Sequence, residues 1–414
     1  MRRLSIALLS LLTIIPSLHA APPNTATVDV APLLRAKGIN TASTGIYAVW
    51  ADSGQPVAAY HPDQLLNPAS TAKIITSYCT LKTLGPDFTF TTKYFSESAV
   101  EQSKIHNLWI QGQGDASLVI EELWLHVEQL KNLGLQQITG DLILDGSFFD
   151  ATDYPGRQEN NERAYNAKPS GLSLNYNSIA TTDSAHPNQT TYSAAGDPIL
   201  SFGNTFKQLL QDAGIAFHGQ IKTGLTPSGL HPIISPISRP LSWVIYGMNK
   251  FSNNFIAESL LKYLGTLDAG APGSTAKGLK KIEGCLSQLA IKKEDFVLEN
   301  GSGLSYNNQV TPRQLVRVLQ AGFSDFSVGP EFISSLSTYG VDGTMRKRNA
   351  YDDLAGQVRA KTGSLNAIST LVGFLPTANH RVIAFAILMN GLKADLWEAH
   401  KVQDKILETL AQQK

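Results

Sequence analysis

The chain has 414 residues, with 34 Lys plus Arg against 34 Asp plus Glu, so its formal charge is zero. That balance excludes a broad nucleic-acid surface, which needs a basic surplus. With 43% hydrophobic and 16% charged residues it is neither a disordered chain nor a coiled coil, and its length suits two or three domains around sizeable cores.

The start carries a basic pair (Arg2, Arg3), an apolar run over residues 4–18, and small residues at Ala20 and Ala21. This is the pattern of a cleavable secretory signal over residues 1–20. An uncleaved anchor is the alternative, but Pro16 interrupts an already short run. No Cys follows the run to accept a lipid, and no later segment carries about 18 uninterrupted apolar residues, so at most peripheral membrane contact is expected. Residues 28–35 read as a short amphipathic helix. Two strand-like runs follow, residues 45–50 and 56–60, separated by Asp52-Ser53-Gly54, a hairpin turn signal.

From about Phe88 to Ile199 short strands and Gly/Asp turns alternate around one helical pattern at 119–133, with an Asn/Ser/Thr-rich stretch near 175–195. This segment reads as an insertion over residues 89–198. Residues 357–362, 370–374 and 381–389 return as strands, and 394–413 as a long amphipathic helix. Strands at both ends therefore imply one α/β unit, residues 21–88 and 199–414, assembled from both termini. Cys79 and Cys285 leave two readings, one bridge in an oxidising compartment or two buried thiols.

Three short strings carry chemistry. Asn67-Pro-Ala-Ser70-Thr-Ala-Lys73 places Ser-x-x-Lys at a helix start, where positions i and i+3 share a face and the Lys73 amine can reach the Ser70 hydroxyl. A serine needs a neighbouring base, and a lysine of lowered pKa can serve. Ser252-Asn253-Asn254 lies between two apolar helical runs, with a hydroxyl able to relay a proton and an amide able to hold a carbonyl. Lys361-Thr362-Gly363-Ser364 lies on a strand, offering a cation, a hydroxyl and a residue without a side chain to block backbone approach. An extended peptide can add to such an edge. Taken singly, each string also fits a plainer role: a helix start, an N-cap, a charged sheet edge.

Together, and in this order, they form the Ser-x-x-Lys, Ser-x-Asn, Lys-Thr-Gly set of penicillin-binding proteins and serine β-lactamases. The chain resembles the D-alanyl-D-alanine carboxypeptidases of the low-molecular-mass class C type, peptidase family S13. Further strings carry the likeness: Gly112-Gln-Gly-Asp115-Ala-Ser-Leu, Gly140-Asp-Leu-Ile-Leu-Asp145-Gly-Ser-Phe-Phe-Asp150, Asn300-Gly-Ser-Gly-Leu-Ser305 and Gly340-Val-Asp-Gly-Thr344. The resemblance implies an antiparallel sheet flanked by helices, the penicillin-binding protein/serine β-lactamase-like fold, with a shortened α+β insertion. It implies a periplasmic enzyme that cuts the D-Ala-D-Ala bond of peptidoglycan stem peptides, with cross-bridge cleavage as a companion activity, and that β-lactam antibiotics acylate.

The roles it implies are Ser70 as nucleophile, Lys73 as a base kept neutral by burial and by the Lys361 cation, and Ser252 as proton relay. Asn254 would hold the substrate amide, Lys361 and Thr362 the terminal carboxylate, and the N–H groups of Ser70 and Ser364 the oxyanion. The chain departs from the family in three places. The insertion is short, Asn160 stands at an acidic position, and Tyr306 stands at a basic one, while Tyr165 is kept in the pocket for the far end of the stem.

Neither a cofactor nor a metal is implied, since the nine His are scattered without a ligand-spaced motif. Gly112-x-Gly114 lacks the third glycine of a dinucleotide loop, Gly301-Ser302-Gly303 lacks the first glycine of a nucleophile elbow, and the Asn188 sequon matters only in a glycosylating host. A β-lactamase is the first rival reading. Its class A members activate deacylating water with a Glu, for which only Glu159 and Glu162 stand as weak candidates. A non-catalytic peptidoglycan-binding protein is the second, and it would have no use for Lys73.

Overall fold

Asp52-Ser53-Gly54 turns the chain between β1 (Thr44–Trp50) and β2 (Pro56–Tyr60), with Gly54 at φ +72°. The computed structural model describes residues 28–158, 161–182, 190–348 and 351–413, so the expected signal, Glu159, Asn160 and the Asn188 sequon lie outside the described residues. Residues 28–35 do not form the expected α-helix. Val28 bridges to Ala58, and only a 3₁₀ turn over Ala31–Arg35 follows, because so short a run cannot repay helix nucleation. After β2, a 3₁₀ turn over Ala69–Ala72 leads into α1 (Lys73–Leu84).

The insertion then runs through β3 (Thr92–Ser96), β4 (Lys104–Ile105), β5 (Leu108–Gly112), α2 (Ile120–Asn132), β6 (Gln137–Ile138) and β7 (Leu142–Asp145). A hairpin of β8 (Ser178–Thr182) and β9 (Thr190–Ala194) precedes α3 (Pro198–Asp212), β10 (Ala216–Phe217), β11 (Ile221–Thr223) and β12 (His231–Ile234). One sheet of order β11-β7-β5-β3-β12 is covered by α2 and α3. Its core joins Leu123, Val127 and Leu130 of α2 to Phe202, Phe206 and Leu210 of α3.

The boundary expected at 198 is therefore too early. Strands β11 and β12 are both edges of the inserted sheet, and α3 fills its core, so the insertion continues to Ile234. The polar stretch near 175–195 forms the β8–β9 hairpin, whose β9 also bridges to Arg163 through Ser193.

The outer unit resumes with α4 (Leu241–Phe251), α5 (Asn254–Leu264), α6 (Thr275–Gln288), α7 (Pro312–Ser324) and α8 (Gly329–Ser334). It closes with β13 (Ser337–Thr338), β14 (Arg359–Leu365), β15 (Ile368–Pro376), β16 (Val382–Met389) and α9 (Leu396–Ala411). The sheet has order β13-β14-β15-β16-β1-β2, every pair antiparallel, and β16 pairs with β1 from the far end of the chain. Strand β16 is buried on both faces, so its sequence runs apolar without alternation. Ala384, Ala386 and Leu388 face α1, α4, α5 and α7, while Ile383, Phe385 and Ile387 pack with α9. Cys79 of α1 and Cys285 of α6 are paired, which selects the bridged reading.

Candidate active site

The turn that carries Ser70 is held from several sides. The Asn67 side chain accepts from the Ala69 N–H (2.8 Å) and donates to the carbonyls of Ser305 (3.1 Å) and Tyr306 (2.9 Å). Asn390, just past β16, accepts from the Asn67 N–H and donates to its carbonyl. Thr370 of β15 donates to the Pro68 carbonyl at 2.8 Å. Ala69 sits at φ +46°, a conformation costly for a residue with a side chain, which these anchors enforce immediately before the half-buried Ser70.

Lys73, the first residue of α1, is fully buried. Its Nζ lies 3.2 Å from Ser70 Oγ, 2.8 Å from Asn254 Oδ1 and 2.6 Å from the Ser302 carbonyl. Burial pushes its pKa down to about 7, opposed by the negative charge of Glu258. The lowering expected from the Lys361 cation is thus supplied by desolvation. Glu258 is itself buried on α5, one turn beyond Asn254, and its carboxylate accepts from the N–H groups of Ser302 (2.7 Å) and Gly301 (3.2 Å).

The α4–α5 junction presents the second string. Ser252 closes α4 in the left-handed region (φ 57°, ψ 37°), a place usually taken by glycine. The N-cap role belongs to its neighbour, since Asn253 Oδ1 accepts from the Ile256 N–H. Ser252 Oγ is thereby free to accept from Lys361 Nζ at 2.9 Å. Asn254 divides its amide between Lys73 and the Tyr165 carbonyl, the latter at 3.0 Å.

Strand β14 forms the other wall. Lys361 is fully buried, which pushes its pKa well down, with the Lys73 charge adding to the effect. It also donates to the Thr362 carbonyl. Thr362 Oγ1 donates to Thr344 Oγ1 at 2.7 Å, and Ser364 is exposed. Gly363 is required by close approach: a Cβ there would lie 2.2 Å from Thr370 Oγ1 and 3.0 Å from the Ser70 nitrogen. Strand β13 pairs only with Arg359 and Ala360, so among the described residues the edge from Lys361 onward carries no strand partner.

Two hydrogen-bonded sets, Ser70–Lys73–Asn254 and Ser252–Lys361, thus stand beside Thr362, Gly363 and Ser364, and the Lys73 charge is felt at Lys361. Tyr165, its phenol bonded to Asn161, lines a cavity of about 620 Å³ with Ile120, Tyr176, Tyr192, Phe251, Ser252 and Asn254. Tyr306 lies apart from that lining. Its backbone meets Asn67, and its phenol accepts from the Asn366 N–H.

Sequence reasoning passed over Glu258, the Ser302 carbonyl, Asn67, Asn390 and Thr370. Only Glu258 left a signal, as a lone carboxylate four residues after Asn254 on an apolar helix. Among the described residues no group of three or more His, Cys, Asp or Glu is placed to hold a metal ion.

The sequence model of the D-Ala-D-Ala carboxypeptidase 3 (S13) family matches residues 26–193 and 183–413. A D-alanyl-D-alanine carboxypeptidase of Actinomadura sp. is 27% identical over 457 residues, covering 93% of this chain and 84% of the relative. The D-alanyl-D-alanine carboxypeptidase DacB of Haemophilus influenzae is 24% identical, covering 94% of each chain. In fold, the crystal structure of penicillin binding protein 4 from Haemophilus influenzae matches with a TM-score of 0.82 at 23% identity, covering 93% of this chain and 100% of that one. A predatory peptidoglycan endopeptidase of Bdellovibrio bacteriovorus shares the fold more distantly, with a TM-score of 0.59 at 18% identity over 88% and 92% of the two chains.

Proposed function

We infer that this chain, which belongs to the D-Ala-D-Ala carboxypeptidase 3 (S13) family, is a serine-type D-Ala-D-Ala carboxypeptidase working through an ester on Ser70. The observation that carries the mechanism is the set of acceptors around Lys73. Asn254 Oδ1 and the Ser302 carbonyl can only accept, so in a neutral amine they take both N–H groups. The lone pair is then left for the third partner, Ser70 Oγ, the one neighbour able to give up a proton. A pKa of about 7 makes that neutral form abundant at physiological pH.

The stem peptide would add along the uncovered β14 edge, its terminal carboxylate meeting Lys361 and Thr362 beside Thr344. Ser70 Oγ attacks the penultimate D-Ala carbonyl as its proton passes to Lys73, and the N–H groups of Ser70 and Ser364 receive the oxyanion. Ser252, bonded to Lys361, passes a proton to the departing D-Ala nitrogen as the C–N bond breaks and takes its replacement from the Lys73 ammonium, which returns to the neutral amine. Water then cleaves the ester and restores the serine. A β-lactam forms the same ester but keeps its amine tethered, which makes it an inhibitor. The start of the sequence supports export to the periplasm, where such stems lie.

The test is acylation by a penicillin followed by intact mass and peptide mapping. A single ester on Ser70 is expected, absent in Ser70→Ala. Lys73→Ala should slow it by several orders of magnitude, because such units act together. Normal labelling of Ser70→Ala would refute the assignment.

A further inference from the structure

Next to Lys73 stands a buried ionisable group that the proposed reaction does not use. Glu258 has no exposed surface, yet it sits on α5 between two groups that matter: Asn254 one turn before it and Lys262 one turn after. Lys262, also buried, holds the insertion through the Asp150 carboxylate and the carbonyls of Asp150 and Thr152. A stripe Asn254–Glu258–Lys262 therefore runs along one helix face from Lys73 to the insertion.

Glu258 grips the segment 300–303. Its two oxygens take the N–H groups of Gly301 and Ser302, and the carbonyls of the same two residues point back to α1. The Gly301 carbonyl accepts from Thr76 Oγ1 at 2.7 Å, and that of Ser302 accepts from Lys73 Nζ. Gly303 follows at φ +84°, so close to Ala69 that a Cβ would overlap its carbonyl oxygen. The segment is wedged between the nucleophile turn and α5, and a glutamate holds its donors.

We propose that Glu258 is the positioning residue of the base: by fixing the Ser302 carbonyl it aims the Lys73 lone pair at Ser70. The inference rests on the reading of Lys73 as general base. Glu258 acts in two separable ways. Its hydrogen bonds set where the Ser302 carbonyl stands, and its charge favours the Lys73 ammonium, holding the basicity above what burial alone would leave. The other titratable groups facing this pair are Lys361 from β14 and Tyr154 from the insertion, whose buried phenol senses the Glu258 charge. Neither supplies a second carboxylate.

Two variants of the full chain separate the two actions. Penicillin acylation rates are followed from pH 5 to 9, with kcat and KM on a D-Ala-D-Ala peptide. Glu258→Gln keeps the length, removes the charge and leaves one acceptor oxygen for two N–H groups, so the acid limb should move to lower pH by about one unit and the plateau should fall about tenfold, with KM little changed. Glu258→Asp keeps the charge and withdraws the carboxylate by one methylene, so the limb should stay while the plateau falls about tenfold. An unmoved limb in folded Glu258→Gln, or a wild-type plateau in Glu258→Asp, overturns the proposal. If the Gln variant does not fold, the Asp variant alone decides. Ser70→Ala is run alongside, because labelling that survives it sinks the underlying mechanism rather than the role of Glu258.

Discussion

Adding one methyl group at Gly363 should disable acylation while leaving the protein folded. The Cβ of Gly363→Ala would stand 2.2 Å from Thr370 Oγ1, 2.8 Å from the Pro68 carbonyl oxygen and 3.0 Å from the Ser70 nitrogen. Ordinary contacts of this kind lie near 3.5 Å, so the strand and the nucleophile turn must part by about 1 Å. Thr370 cannot simply swing aside, because its hydroxyl bonds the Pro68 carbonyl that anchors the turn. A displacement of that size between catalytic groups costs about a hundredfold, or about 2.7 kcal/mol. The assay is the second-order rate of penicillin acylation beside thermal unfolding. Gly284→Ala is the control: it lies within α6 and its new Cβ would meet nothing within 4 Å, so neither quantity should fall. Wild-type acylation by Gly363→Ala at an unchanged melting temperature would show that the close approach of β14 to Ser70 has no part in the reaction.

Acylation should follow the neutral fraction of Lys73: with a pKa of about 7, about a tenth remains at pH 6 and about a hundredth at pH 5, so rates should fall as pH drops. A rate flat from pH 8 to 5 would exclude Lys73 as the base. For stem mimics with and without a zwitterionic far end, the neutral Asn160 and Tyr306 should give a kcat/KM preference below about a hundredfold, measured on two peptides differing only there. A larger preference would place a charge-reading pocket elsewhere. The Cys79–Cys285 bridge spans 206 residues, so Cys79→Ala/Cys285→Ala should lose about 2–5 kcal/mol in denaturant titration. An unchanged midpoint would contradict it.

What could be read from the sequence was what is local. Ser70 and Lys73 are one helical step apart, and the Lys361-Thr362-Gly363 strand announces itself by its own residues. The N-terminal hairpin and the C-terminal strands were legible as apolar runs because β1 and β16 are buried throughout. The end of the insertion was not, since the amphipathic pattern of α3 suits either core and only packing assigns Phe202 and Phe206 to the inserted one. The Ser302 carbonyl is main chain and leaves no trace in residue identity. Gly301-Ser302-Gly303, read as a failed nucleophile elbow and as part of one family-like string, lines Lys73. Of the two causes expected for the low basicity of Lys73, burial and the Lys361 cation, burial is the one that lowers it, and its depth is complete rather than partial.

The sheet order has a consequence for how the molecule is made. Strand β1 is bordered by β2 on one side and by β16 on the other, and its first residue, Thr44, lies opposite Met389. An emerging chain thus completes the hairpin early and must then wait for nearly all remaining residues before the hairpin's inner edge finds its neighbour. During that interval a strand destined for full burial stays half-paired, the kind of exposed edge that invites wrong association. The inserted sheet suffers no such delay, because its partners all fall between β3 and β12. Folding of the outer unit is bound to the completion of the polypeptide, and a product truncated before Val382 lacks both β16 and α9. High contact order here makes the reactive centre one of the last features to take shape, since Lys361 and Gly363 join Ser70 only after the sheet closes.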